Sequence, residues 1–155
     1  MQARLIGLFL AMLTGMLPLA VFGAPQQATR DDAIRFVGKA VAHIRQHGKE
    51  RALQDFNNAH GPFVERELYI VVLDMNGTLL ADGLNPKLVN KSLRDVRDIN
   101  GKYFVREELK LAIEKGKGWV DFHWPNPASG ALETRSSYFE RVDDYIVLTG
   151  VYQQR

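Results

Sequence analysis

The sequence has 155 residues, no cysteine, 46% hydrophobic residues and a formal net charge of +2. Hydrophobic content of this level with 25% charged residues is typical of one globular domain, and it excludes disordered and fibrous chains. The small net charge provides no global field that would attract nucleic acid, so no nucleic-acid partner is expected. Without cysteine, packing alone must stabilise the fold.

The N-terminal segment at 1–23 is typical of a secretory signal peptide. Arg4 precedes a long uncharged apolar run, and Pro18 and Gly23 punctuate its end. We predict cleavage after Gly23, which leaves 24–155 as a single periplasmic domain. The alternative is an uncleaved membrane anchor, because the apolar run approaches the roughly 20 residues that a spanning helix needs.

Two helices are predicted at the start of the remaining chain. Thr29 and Asp32 form a capping-box pattern, which marks the first turn of a helix. The first helix continues through Gln46, and Gly48 separates it from a second helical piece at 49–57. The buried stripe of the first helix is predicted to contain Ile34, Val37, Val41 and Ile44.

A β-hairpin is predicted next. The run at 68–73 is rich in strand-forming residues and ends near Asn76-Gly77, a dipeptide typical of two-residue hairpin turns. Both alternating faces of this run are apolar, which indicates a central strand that is covered on both sides. The returning strand is expected at 78–81.

The second half of the chain predicts an excursion followed by three strands. The stretch at 82–117 is rich in turns and contains a predicted helix at 103–115. Strands follow at 118–124, 133–142 and 145–152, and their short connections make neighbours antiparallel. The elements predict an α+β fold in which a five-stranded antiparallel sheet carries a long N-terminal helix on one face. A loop-helix excursion covers the other face, where a pocket is expected.

The segment around Asp74 resembles the first motif of haloacid-dehalogenase-type phosphatases, with Asp74 as the nucleophile. Asn76 stands where that family uses an aspartate as general acid/base, and an amide cannot transfer that proton at neutral pH. A hairpin turn is therefore favoured, and phosphatase activity is kept as the alternative. We predict no enzymatic activity, no catalytic residues and no cofactor.

Two histidines on the first helix raise the question of a metal site. His43 and His47 have the i, i+4 spacing that would place both imidazoles on one side of a helix. The helix phase directs them away from the apolar stripe, and the sequence offers no third ligand. We interpret them as solvated side chains and predict no metal.

The segment at 118–124 is unusually aromatic for a strand. In an extended conformation, one face carries Val120, Phe122 and Trp124, and the other carries Trp119, Asp121 and His123. Core packing accounts for the first set. The second set, with an indole, a carboxylate and an imidazole, suits either a polar pocket or a solvent-exposed edge of the sheet.

Arg135 opens the next strand, and hydroxyl-bearing residues follow it at 136–138. A guanidinium presents a fork of donors that matches the two oxygens of a small carboxylate. The alternative is a surface ion pair with Glu133 or Asp121.

In the order of its motifs the chain resembles the single Cache domains of bacterial extracytoplasmic sensors, which are similar to PAS domains in fold. The most specific parts are Gly-Trp-Val-Asp-Phe-His-Trp-Pro-Asn-Pro at 118–127 and Gly-Val-Tyr at 150–152. The resemblance implies that a small organic ligand, a carboxylate or an amine, binds between the sheet and the excursion. With His123 added from the strand pattern, the predicted ligand-binding residues are Tyr69, Trp119, Phe122, His123, Trp124, Arg135 and Tyr138.

Two departures from the family pattern keep the ligand class open. Phe122 stands where a tyrosine is common, which removes a hydroxyl, and Asp82 stands where histidine or another polar residue often occurs. An amine-bearing or zwitterionic ligand therefore remains an alternative to a carboxylate.

The predicted function is an exported sensing domain. Because the sequence ends directly after the last predicted strand, we expect no output module of its own and, as a partner, a membrane receptor or kinase. A protein-interaction module with no ligand is the further alternative, and the oligomeric state is left open.

Overall fold

The structure, a computed structural model, describes residues 27–153, so the predicted signal peptide lies outside the described part of the chain. The helices are α1 (Arg30–His47), α2 (Lys49–Phe56) and α3 (Phe104–Lys115). The strands are β1 (Val64–Glu65), β2 (Leu68–Tyr69), β3 (Val71–Asp74), β4 (Leu79–Asp82), β5 (Lys117–Pro125), β6 (Leu132–Val142) and β7 (Tyr145–Tyr152). Between positions 27 and 153, no helix is both long enough and apolar enough to cross a membrane.

Five strands form one antiparallel sheet in the order β4-β3-β7-β6-β5, which confirms the predicted α+β fold. β7 lies at the centre of the sheet, and every one of its residues is buried. The predicted strand at 68–73 is divided at Ile70, because β2 pairs with β1 in a separate two-stranded hairpin. The turn of that hairpin places Arg66 at a φ of 56°, a backbone conformation that the sequence pattern did not reveal.

Helix α1 begins with the predicted capping box. The Thr29 side chain accepts from the Asp32 N–H, and the Asp32 carboxylate accepts from the Thr29 N–H. The prediction that Ile34 is buried was wrong, since 39% of it is exposed. The other three predicted residues are buried, and Ala33, Phe36 and Ala40 complete the buried face. The buried residues of α1 are Ala33, Phe36, Val37, Ala40, Val41 and Ile44.

The connection between β3 and β4 is a turn that Asp74 stabilises. Its carboxylate accepts hydrogen bonds from the N–H groups of Asn76 and Thr78 at 2.9 and 2.8 Å. Gly77 takes a φ of 83°, which glycine adopts without strain. The turn spans four residues between the strands, at 75–78, one position later than the predicted 74–77. The sheet is antiparallel, whereas the phosphatase motif belongs to a doubly wound parallel sheet, so the fold does not support that alternative.

The interpretation of His43 as a solvated side chain was wrong. Its Nε2 lies 2.8 Å from a carboxylate oxygen of Asp55, and its ring centroid is 4.8 Å from that of Phe63. The side chain is 21% exposed because α2 folds back beside α1 and covers it. Within residues 27–153, no group of three or more histidine, cysteine or acidic side chains is placed to hold a metal ion.

The sheet separates two apolar layers. One lies against α1 and α2 and includes Val37, Phe56 and Val147. The other lies against α3 and the excursion and includes Leu109, Phe122 and Leu148. The second layer contains the cavity described next.

Candidate ligand-binding site

A cavity of about 270 Å³ lies between the sheet, α3 and the loop at 85–96. Strands β3, β6 and β7 form its floor, and α3 forms one wall. The residues that line it are Tyr69, Val71, Leu73, Asp82, Asn85, Leu88, Leu93, Val96, Phe104, Val105, Glu108, Phe122, Trp124, Arg135, Ser137 and Leu148.

Aromatic rings make one end of the cavity rigid and apolar. The rings of Phe104 on α3 and Phe122 on β5 stack at 4.0 Å between centroids, with 8° between their planes. Trp124 meets the edge of Phe104 at 5.4 Å. Such ring pairs stabilise the wall beyond the burial of their area alone. They leave an apolar surface that suits an aliphatic group.

Arg135 on β6 supplies a buried positive charge to the cavity. The residue is 5% exposed, and its Nη1 donates a 2.5 Å hydrogen bond to the Tyr69 hydroxyl. Its guanidinium also lies 4.8 Å from the centre of the Tyr69 ring. No carboxylate among the described residues forms an ion pair with it, and its Nε has no hydrogen-bond partner there. The alternative of a surface ion pair is therefore wrong.

Gly150 on β7 makes room for this arginine. A Cβ atom built on Gly150 would overlap the Nε of Arg135 and would also crowd its Cγ and Cζ. The arginine side chain therefore passes directly over the glycine backbone on its way to Tyr69. Any larger residue at this position would displace the guanidinium.

Two further polar groups in the cavity lack partners. Glu108 on α3 is 2% exposed and Ser137 on β6 is 1% exposed. Among the described residues, neither Glu108 Oε1 nor Ser137 Oγ has a hydrogen-bond partner. Burial raises the pKa of Glu108 to about 7, while the positive charge of Arg135 acts in the opposite direction. Buried polar atoms without partners are uncommon, and here three of them line one cavity.

Asp82 lies at the rim of the cavity, where β4 ends. Its Oδ1 accepts hydrogen bonds from the N–H groups of Leu84 and Asn85, both at 2.8 Å. These bonds hold the turn that starts the excursion. Asp82 therefore has a structural task in addition to its position beside the cavity.

Four of the seven predicted site residues line the cavity: Tyr69, Phe122, Trp124 and Arg135. Trp119 and Tyr138 do not. They are opposite partners in the β5–β6 ladder and pack at 5.0 Å against each other, on the α1 side of the sheet. Strand alternation explains this position, because Trp119 is an odd number of residues away from Phe122.

His123 lies at the outer edge of β5 instead of inside the cavity. Its N–H donates to a carboxylate oxygen of Asp98 at 3.1 Å, and its ring lies 3.1 Å from the Asn100 side-chain amide. Lys102 donates to the Asp121 carbonyl along the same edge. The loop at 98–102 thus covers the outer edge of β5, which would otherwise expose unpaired backbone groups.

Sequence reasoning missed Glu108, and it noted the hydroxyl of Ser137 beside Arg135 without including Ser137 among the predicted site residues. Glu108 interrupts the apolar stripe of α3, where Phe104 precedes it and Ala112 follows it at intervals of four residues. A carboxylate in the middle of a buried helical face was the signal that could have identified it. Ser137 follows Arg135 by two residues in β6, so strand alternation places both on the same face.

A second depression, of about 600 Å³, lies near the start of α1 and the loop after β5. It is larger, but most of its lining side chains, such as Arg66 and Pro127, are exposed. The described residues around it contribute none of the unpartnered buried polar atoms. The smaller cavity is therefore the candidate site.

Comparison with known proteins gives one family and several similar structures. The family model described as single Cache domain 2 matches residues 24–154. The methyl-accepting chemotaxis protein McpP of Pseudomonas putida is 28% identical over 86 residues, which are 54% of this chain and 16% of that receptor. The chain thus aligns with only a small part of that curated relative.

Two solved structures share the fold. A methyl-accepting chemotaxis protein of Vibrio parahaemolyticus matches with a TM-score of 0.67 and 23% identity, over 79% of this chain and 86% of that one. A Cache chemosensory domain studied for carboxylic acid recognition matches with a TM-score of 0.68 and 21% identity, over 80% and 92% of the two chains. At these identities the likeness concerns the fold.

Proposed function

The chain belongs to the single Cache domain 2 family, and from this premise we propose that it is an extracytoplasmic sensing domain that binds a small organic carboxylate. The ligand occupies the cavity between the sheet and α3, with its carboxylate against Arg135. The domain acts by binding and not by catalysis. The signal-peptide pattern at 1–23 supports export to the periplasm, where a membrane receptor or kinase would respond to ligand occupancy.

The observation that carries this proposal is the buried Arg135, which has no carboxylate partner within residues 27–153. An unpaired charge in the interior is costly, because it loses its hydration and gains no compensating charge. A ligand carboxylate would supply the missing negative charge and accept hydrogen bonds from the guanidinium. Bonds of this kind, between an ionised donor and an ionised acceptor, are the stronger ones in proteins.

The rest of the cavity supports a short organic acid. Its volume of about 270 Å³ lies just below the range of about 300–1,000 Å³ that is usual for drug-sized ligands. The stacked rings of Phe104 and Phe122 offer an apolar surface opposite the polar end. A similar structure is a Cache chemosensory domain known for carboxylic acid recognition, which supports the same ligand class here.

The proposal is tested by thermal unfolding and calorimetry of the purified protein with acetate, propionate and butyrate. A ligand that binds the folded state raises the melting temperature by mass action. We expect at least one acid to do so, and we expect Arg135→Gln to weaken its binding by about tenfold or more, the size typical of a lost hydrogen bond to a charged group.

The matched control is Arg141→Gln, which removes an arginine from the same strand, β6. Arg141 is exposed and donates to the carbonyl of Asp143 at the far end of the strand. We expect its affinity for the acid to equal that of the wild type. Equal affinities for the two variants, or no stabilisation by any acid, would contradict the proposal and favour a protein-interaction module without a ligand.

A further inference from the structure

We propose that Glu108 sets the ligand class: the cavity takes a carboxylate that has no ammonium group, and it binds this ligand together with one proton on Glu108. This inference rests on the proposed function, since it concerns the same cavity. It assigns a specificity-determining role to a residue that the ligand would contact on the side of α3.

The carboxyl group of Glu108 and the guanidinium of Arg135 line the same cavity but form no ion pair with each other. Glu108 Oε1, Arg135 Nε and Ser137 Oγ each lack a hydrogen-bond partner among the described residues, and all three residues line the cavity. Glu108 and Arg135 form no ion pair, although each lies close enough to influence the charge of the other. The polar group of a ligand between them would satisfy atoms that the protein leaves unsatisfied.

A count of charges favours a neutral Glu108 in the complex. Arg135 provides the positive charge that faces the ligand, and a bound carboxylate neutralises it, while the Asp82 carboxylate beside the cavity is engaged by the N–H groups of Leu84 and Asn85. An ionised Glu108 beside that carboxylate would place two like charges in a buried space, which raises the pKa of both. A protonated Glu108 avoids the repulsion and offers an O–H donor to a ligand oxygen.

The surroundings of Glu108 agree with this assignment. On β5, the side chains that line the cavity are apolar, and Lys102 before α3 is engaged with the Asp121 carbonyl and with Glu107. The pKa of Glu108 of about 7 means that a modest influence from the ligand keeps it protonated. The titratable or charged groups near it from the packed elements are Tyr69, Asp82, Lys102, Glu107 and Arg135.

The two ligand classes predict opposite effects of pH. A carboxylate that binds with a proton is bound less tightly as the pH rises through 7, because the proton must then be taken from solution. A ligand with an ammonium group pairs best with ionised Glu108, so its affinity rises with pH over the same range. The sign of the pH dependence therefore identifies the class.

The experiment is calorimetry of the wild-type protein with two matched pairs of probes, acetate with glycine and propionate with alanine. The members of each pair differ only by an ammonium group. We expect the simple acid to bind, and its affinity to fall about tenfold between pH 6 and pH 8, as linkage to one proton on a group with a pKa of about 7 requires. Titrations in two buffers of different ionisation enthalpy should show net proton uptake near pH 7.5.

Glu108→Gln keeps the size and a donor but cannot titrate, so its affinity for the acid should not change between pH 6 and pH 8. Glu107→Gln is the control, because it removes a half-exposed carboxylate from the same helix and leaves Glu108 in place. Its affinity should still fall with pH. The proton-uptake measurement needs the wild type alone, so it decides the matter even if Glu108→Gln does not fold.

The outcomes separate this inference from the proposed function. If an acid binds with no proton uptake and no pH dependence, or if glycine or alanine binds with affinity that rises with pH, the role of Glu108 is overturned. In the first of these cases carboxylate binding through Arg135 still stands. If none of the acids binds, the proposed function itself is overturned, and the role of Glu108 with it.

Discussion

The two faces of the sheet are both apolar and both covered by helices, but they treat buried polar groups differently. On the α1 face, the buried Thr149 hydroxyl donates to the Tyr69 carbonyl, and the Ser136 hydroxyl accepts from Gln153. On the α3 face, one residue further along β6, the Ser137 hydroxyl has no described partner. Two adjacent serines of β6 therefore differ: Ser136 on the α1 face has a hydrogen-bond partner, and Ser137 on the α3 face has none among the described residues.

This difference indicates which face serves stability and which serves binding. Unsatisfied buried polar groups destabilise a fold by about 1–3 kcal/mol each, so they persist only where another requirement maintains them. Among the described residues, the unsatisfied buried polar atoms all belong to residues that line one cavity, and Arg135 is one of them. The following predictions test that division.

The largest effect is expected from Phe56→Ala on the α1 face. Phe56 is fully buried and meets Phe63 edge to face at 4.6 Å. Removal of a buried phenylalanine ring costs about 3–5 kcal/mol of stability, because it loses burial and leaves a void. The free energy of unfolding in urea measures this loss, and the folded fraction should bind the acid as the wild type does.

Phe122→Ala on the α3 face is the matched comparison. Phe122 is also buried, but its ring already borders the cavity, so fewer contacts are lost when it is removed. We expect a smaller loss of stability than for Phe56→Ala and a clear loss of acid affinity. A variant of Phe56 that loses affinity, or a variant of Phe122 that keeps it, would contradict the division between the faces.

The second prediction concerns Glu108 and the stability of the ligand-free protein. Its folded-state pKa is raised from 4.5 to about 7, so between these values the folded protein holds a proton that the unfolded chain releases. Stability from this group is present below pH 4.5 and is lost as the pH rises towards 7. Since a tenfold change in proton affinity corresponds to about 1.4 kcal/mol, the loss approaches about 3 kcal/mol.

Glu108→Gln should remove this dependence. Other carboxylates, such as Asp98, have lowered pKa values and affect the wild type and the variant alike, so the difference between the two proteins isolates Glu108. In urea unfolding from pH 4.5 to pH 8, the free energy of unfolding of the variant should rise relative to that of the wild type by up to about 3 kcal/mol. Parallel stability curves would mean that Glu108 is not held neutral in the folded protein.

The sequence was sufficient for the fold because its signals are local. The signals are the capping box at Thr29, the turn after Asp74 and the continuous apolar run at 68–73, and each depends only on neighbouring residues. They place the α1 start and the main strands within a few positions of where the structure has them. The β1–β2 hairpin was missed because two-residue strands have no periodicity to detect.

The candidate site was only partly predictable because it depends on which face each side chain takes. Strand alternation separated Trp119 from Phe122 and Trp124 but did not say which face borders the cavity, so Trp119 and Tyr138 were assigned to the pocket although they lie on its far side. Glu108 was missed for a different reason. Charged residues on helices usually face solvent, and its burial follows from the packing of α3 onto β5 and β6.

Among the variants that distinguish the α3 face of the sheet from the α1 face, Gly150→Ala is expected to have the smallest effect. The added methyl group would overlap the Arg135 side chain, so the guanidinium must move away from Tyr69 while its charge stays in the protein. We expect the affinity for the acid to fall by about tenfold, since a bidentate contact depends on orientation. Calorimetry with the same acids measures this change.

Gly38→Ala provides the matched control on the outer side of α1, where an added methyl group meets no atom within 4 Å. It should raise stability by about 0.5–1 kcal/mol, because alanine favours a helix over glycine, and it should leave the affinity unchanged. If Gly150→Ala also binds as the wild type does, the position of Arg135 does not matter to the ligand. If it weakens binding as much as Arg135→Gln does, the orientation of the guanidinium over Gly150 contributes as much to recognition as its charge.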